Sequence, residues 1–171
     1  MEQRKFLTVF AVFDDKTQLE LKRLQNKIIN TNNSQGKQTM DIPFHISLGS
    51  FPTSEERNLQ SKILEVCSVN QEFEISLEKI GFFGDKVVFA EPTVNEELIR
   101  LHSLFDNNYA DGFSWHAHST LYIDDNEDNV KLAKKVAIEN FKPIKAKIVG
   151  IQLGEFFPTR MIIEKDFEMS L

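Results

Sequence analysis

The chain has 171 residues, 41% hydrophobic and 27% charged, with a net charge of −6. That length and composition suit one compact domain with a sizeable core. The acidic balance excludes broad contact with a polyanion such as a long nucleic-acid duplex, which needs clustered Lys and Arg. The lone cysteine, Cys67, cannot form an intrachain disulfide. It points to a reducing compartment, and its helical spacing with Leu59 and Ile63 marks it as a core residue.

Phe6–Phe13, within an expected strand over 5–13, form an apolar run after Arg4 and Lys5. The run is too short to span a bilayer and lacks a small-residue cleavage site. It is therefore expected to be a buried first strand, in a cytoplasmic protein with no membrane partner. A helix is expected over 15–30, with Leu21, Leu24 and Ile28 on one face, followed by a polar loop at 31–40. Strand 44–51 comes next, then a helix to about residue 68 opened by a Thr53/Glu56 capping box. Strand 72–82 ends the first half. The second half reads as strand 86–91, helix 95–108 (Thr93 and Glu96 again at capping spacing), strand 117–123, helix 127–140 and strand 144–155. A last strand, 160–167, follows the turn at Phe157-Pro158-Thr159. The order is β-α-β-α-β twice, within one domain spanning 1–171, with lobes at about 1–83 and 84–171.

Two strings stand out within that repeat. His45-Ile46-Ser47-Leu48 and His118-Ser119-Thr120-Leu121 each place a histidine two residues before a hydroxyl, on the middle strand of each copy. Strand residues two apart share a face, so each imidazole projects beside a hydroxyl while Leu48 and Leu121 turn inward. Imidazole titrates near pH ~6.5, so one ring can accept a proton while another donates one. Two such rings with two hydroxyls suit phosphoester chemistry. His116 and Tyr122 share the parity of His118 and Thr120 and are candidate cleft residues. His102 falls between Leu98 and Phe105 at helical spacing, as a structural helix residue.

These strings resemble the two-histidine phosphoesterase superfamily, which includes 2'-5' RNA ligase-like proteins and 2',3'-cyclic nucleotide phosphodiesterases. The matching segments are Pro43-Phe44-His45-Ile46-Ser47-Leu48-Gly49 and Trp115-His116-Ala117-His118-Ser119-Thr120-Leu121. Between them, residues 80–89 with Leu98, Leu101 and His102 resemble the family's strand–turn–strand–helix. Two positions depart from its pattern: Ser47 stands where Thr is commoner, and Ala117 where Pro is frequent. The resemblance implies an α+β fold of two pseudo-symmetric lobes, each an antiparallel sheet with flanking helices, around a central cleft carrying both motifs. It implies a metal-independent phosphoesterase acting on 2',3'-cyclic or 2'-5' phosphodiester bonds of RNA ends or nucleotides. His45 and His118 would be the catalytic pair, Ser47 and Thr120 the phosphate-binding hydroxyls. No cofactor is expected, the protein should act as a monomer, and RNA processing is the implied setting.

Two other readings remain open on the sequence. One is an RNA- or nucleotide-binding module that keeps the cleft without turnover. The other is a zinc hydrolase built on His116 and His118, with Asp41, Asp111, Asp124 or Asp125 completing the ligands. Arg160, Lys79 and Lys86 are candidate sources of positive potential, and the loops at 31–40 and 157–160 candidate substrate selectors.

Overall fold

The structure, a computed structural model, describes residues 4–110 and 114–169. Seven strands form one antiparallel sheet: β1 (Phe6–Phe13), β2 (His45–Phe51), β3 (Phe73–Phe83), β4 (Val87–Thr93), β5 (Ser119–Ile123), β6 (Ile144–Phe156) and β7 (Arg160–Asp166). Four α-helices accompany them among the described residues: α1 (Asp15–Asn32), α2 (Glu56–Ser68), α3 (Glu96–Leu104) and α4 (Glu127–Asn140). The fold is α+β, with the expected β-α-β-α-β order in each half and β7 added.

Pairing joins the two halves. The sheet order is β2-β1-β6-β3-β4-β5, and β7 also pairs with β6. Strand β6, from the second half, pairs along one side with β1 and along the other with β3 and then β7. Its length permits this: Ile144–Ile148 meets β3 and Gly150–Glu155 meets β7. The motif strands therefore lie at the two ends of the sheet order rather than at the centre of two separate sheets. The sheet curls until β2 and β5 come into contact.

Helix starts differ from the capping-box expectation. Helix α2 is preceded by a 3₁₀ turn at Thr53–Glu55 and has no side-chain cap. Asn95, not Thr93, caps α3, its side chain accepting from the Leu98 N–H at 3.0 Å. An Asn side-chain oxygen one residue before the helix satisfies an orphan N–H directly, so the Thr is not needed. Helix α3 also stops at Leu104, four residues before the expected end. Beyond it, residues 105–110 pair with β2 instead: Ser50 N–H donates to the Asn107 carbonyl at 2.8 Å, and Ser50 Oγ accepts from the Ala110 N–H.

The core lies between sheet and helices. Leu21 and Ile28 of α1, Ile63 of α2, Leu98 of α3, and Val130 and Ala133 of α4 are fully buried with Leu7, Val9, Leu77 and Ile151 of the strands. Cys67 joins them, and burial pushes its thiol up to about 11, which makes it a poor nucleophile. No helix among the described residues is long and apolar enough to cross a membrane.

Candidate active site

Both motif strands obey the two-residue period at first. In β2, Ile46 and Leu48 are fully buried while His45, Ser47 and Gly49 are half-buried on the opposite face. In β5, Ser119 and Leu121 are buried and Thr120 is half-buried. The period then breaks. Opposite β4, Phe89 pairs with Thr120 but Val88 pairs with Tyr122, so Leu121 is an extra residue and the strand bulges. A bulge shifts the side-chain alternation by one. Tyr122 is consequently buried, its hydroxyl donating to Asp124 Oδ2 at 3.0 Å, and Ile123 takes its place in the cleft. The expectation that Tyr122 shares the face of His118 and Thr120 is corrected by that bulge.

His45, Ser47, His118 and Thr120 line a single cleft of about 1240 Å³, and His116 stands with them. The expected strand over 117–123 begins only at Ser119, so His118 sits in the extended segment just before it. Each motif ring is tethered in the same way. His45 Nδ1 donates to the Pro43 carbonyl at 2.8 Å, and His118 Nδ1 to the His116 carbonyl at 2.7 Å. A carbonyl only accepts, so Nδ1 carries the hydrogen in both rings and Nε2 is the nitrogen placed for proton exchange.

Aromatic rings flank both imidazoles. Phe10 lies 4.0 Å from the His45 ring, centroid to centroid; Phe83 and Phe89 lie 4.7 and 5.1 Å from His118. Burial of His45 disfavours its charged form and holds its pKa down to about 4. The Pro43 carbonyl opposes that shift, and repulsion from His118 adds to it. His45 is therefore neutral in the free protein near pH 7.

That depression has a stability consequence. The unfolded chain takes up this proton near pH ~6.5 and the folded chain only near 4, so between those values the unfolded state binds more protons. The advantage is fully present above pH ~6.5 and is lost as pH falls toward 4. Comparing wild type with His45→Gln by urea unfolding at pH 7 and pH 4 should show the wild type losing up to ~3 kcal/mol more. Equal losses in both proteins would contradict a depressed His45.

Several positioning contacts carried no sequence signal. Gln18 of α1 clamps the residue before His45: its amide accepts from the Phe44 N–H and donates to the Phe44 carbonyl, both at 2.7 Å. The outer edge of β2 is covered by Trp115, whose Nε1 donates to the Ser47 carbonyl at 2.8 Å, and by His102, whose Nδ1 donates to the Leu48 carbonyl at 2.9 Å. The two rings stack at 3.8 Å with 6° between planes. His102 is thus a structural helix residue, as expected, with a specific task of holding β2. At the other end of the sheet, Gln38 and Lys37 bond the Ile123 backbone, drawing the loop after α1 onto β5. That loop lines the cleft from Gln38 onward, whereas the 157–160 turn does not reach it.

His116, 49% exposed, sits at the rim with Nε2 2.8 Å from Glu91 Oε1. Of the carboxylates considered as zinc ligands, Asp124 is engaged with Tyr122 and Asn129 and Asp125 with Lys37, while Asp41 lines the cleft. Asp111 lies outside the described residues. Among the described residues no group of three or more His, Cys, Asp or Glu side chains is arranged to hold a metal ion. Of the three proposed cations, none lines the cleft; Lys79 pairs with Glu91 and Arg160 with Glu56 and Glu155.

Solved structures share this fold. TT0787 of Thermus thermophilus is 12% identical, with a TM-score of 0.60 over 95% of this chain and 97% of that one. Escherichia coli LigT complexed with phosphate is 14% identical, with a TM-score of 0.59 over 96% and 98% of the two chains. LigT complexed with 3'-AMP has a TM-score of 0.56 at 14% identity, over 98% and 100%. Among curated protein sequences none matches. Residues 13–156, which carry both histidine motifs and the strands that place them, match the 2'-5' RNA ligase superfamily, and the chain belongs to that family.

Proposed function

We propose that this chain is a metal-independent phosphoesterase acting on 2',3'-cyclic or 2'-5' phosphodiester bonds by paired-histidine acid–base catalysis. The observation that carries the reading is the shared cleft: two identically tethered imidazoles, each two residues from a hydroxyl, one on β2 and one just before β5, the strands at opposite ends of one sheet. Membership of the 2'-5' RNA ligase superfamily supports phosphoester chemistry, and the LigT complexes with phosphate and 3'-AMP support a nucleotide as occupant.

His45, held neutral by burial, takes a proton through Nε2 from the water that attacks phosphorus. His118 gives a proton to the ribose oxygen as its bond to phosphorus breaks. Ser47 and Thr120 donate hydrogen bonds to the non-bridging oxygens, where charge accumulates. With the 5'-hydroxyl of a second nucleotide in place of water at a 2',3'-cyclic phosphate, the same groups form a 2'-5' bond: His45 takes the hydroxyl proton and His118 protonates the departing 3' oxygen.

The test is turnover of nucleoside 2',3'-cyclic phosphates and 2'-5' dinucleotides, with product mapping, after exhaustive chelation and without ATP. Activity should survive both conditions. Saturable binding with no turnover would favour a binding module, and reactivation specifically by zinc would favour a metal site at His116 and His118. Ser47→Ala and Thr120→Val should each raise the barrier by ~2–4 kcal/mol while leaving the shape of the pH profile intact, since neither hydroxyl titrates there. Unchanged rates in both variants would reduce the hydroxyls to sheet residues.

A further inference from the structure

We propose that the cleft selects a substrate carrying a single phosphate group, a mononucleoside cyclic phosphate, over the end of an RNA strand. This rests on the phosphoesterase reading and narrows its substrate class. The chain has 20 Lys and Arg residues, yet among the described residues Lys22 alone of these lines the cleft. Its Nζ donates to Gln25 Oε1 at 3.1 Å. Two carboxylates, Asp41 and Asp106, line the same walls.

Four of the cations elsewhere are committed: Lys37 to Asp125, Lys79 to Glu91, Arg160 to Glu56 and Glu155, and Arg4 over the Tyr109 ring. His45 is neutral near pH 7 and adds no charge. Every phosphate beyond the reacting one needs its own cation to offset desolvation and the repulsion of a −6 protein.

Space is not the limit. The cleft of about 1240 Å³ exceeds the ~300–1,000 Å³ of ordinary small-molecule sites, so a short strand fits by volume. Its walls are instead rich in rings, including Phe6, Phe10, Phe44, Trp115 and Phe156. A flat base and a sugar suit such a surface; a run of phosphates does not. Charge therefore selects where volume would not.

The experiment titrates wild-type protein with ribonucleotides of one, two and four residues ending in a 2'-phosphate, and measures turnover of the matching cyclic ends. Affinity and kcat/KM should fall by about 5-fold or more from one residue to four, and equal values at all lengths would overturn the selection. Raising salt fourfold should weaken binding by about 2.6-fold, as for one neutralised phosphate, and not by the roughly 50-fold expected for four. Asp41→Lys should tighten the tetranucleotide more than the mononucleotide. A gain of about 10-fold or more with length, accompanied by the steeper salt dependence, would overturn the inference while leaving the phosphoesterase reading standing. Failure of the mononucleotide to bind would overturn it as well. Tight mononucleotide binding without turnover of any cyclic end would uphold the selectivity and sink the phosphoesterase reading.

Discussion

His45→Ala and His118→Ala are each expected to lower kcat/KM on a 2',3'-cyclic phosphate by about 10²–10⁴-fold, the usual loss when a general acid or base is removed. Both rings line the cleft, and each is held by a carbonyl two residues earlier that the substitution leaves in place. His45 also packs on Phe10, so His45→Gln, which keeps more of that contact, separates lost chemistry from lost packing. The wild-type profile of kcat/KM against pH should be a bell belonging to the coupled pair. Its acid limb should fall low, near pH 4, because His45 must be neutral to act and burial keeps it so. His45→Ala should remove that limb from the residual activity. A correctly folded single variant that keeps wild-type kcat/KM would end the paired-histidine account.

Gly49→Ala should cost about 3 kcal/mol of stability, at the upper end for overpacking, and lower Tm by about 6–12 °C in a chain of this size. A Cβ at Gly49 would stand 1.8 Å from the Phe105 carbonyl oxygen, which is backbone and cannot rotate away. Either β2 or the segment after α3 must move, and β2 carries His45 and Ser47. Activity should therefore fall further than the loss of folded protein explains. Gly84→Ala is the control: its φ is +54°, but nothing lies within 4 Å of the new Cβ. It should cost only ~1–2 kcal/mol of backbone strain and leave kcat/KM unchanged. Thermal unfolding and kcat/KM on both variants check the pair. Wild-type stability and turnover in Gly49→Ala would mean that the close approach of β2 to residue 105 does not matter.

Local pattern was enough for most of the elements. The alternation of Ile46 and Leu48 with His45 and Ser47 marks a half-buried strand, and Leu21, Leu24 and Ile28 mark the buried stripe of α1, because both periods are properties of a few neighbouring residues. The spacing of the two histidine motifs is equally local, which is why the residues that meet in the cleft were legible before their distance in space was known.

What the sequence by itself determined is thus the order of the elements, the inward faces and the identity of the paired imidazoles and hydroxyls. The tertiary structure alone decided which strands became neighbours, since hydrogen bonds between strands depend on partners far away in the chain. It put β2 and β5 at opposite ends of one sheet and then curled that sheet until they met. It inserted Leu121 as a bulge against β4, which buried Tyr122 and presented Ile123, a change of face that no reading of β5 in isolation contains. It recruited Gln18, His102 and Trp115 to hold β2, because a sheet edge needs partners for its backbone groups and takes whichever side chains the fold brings there. The charge of the cleft belongs to the same class. The 20 basic residues can be counted in the sequence, but only folding leaves Lys22 as the one among the described residues that lines the cleft.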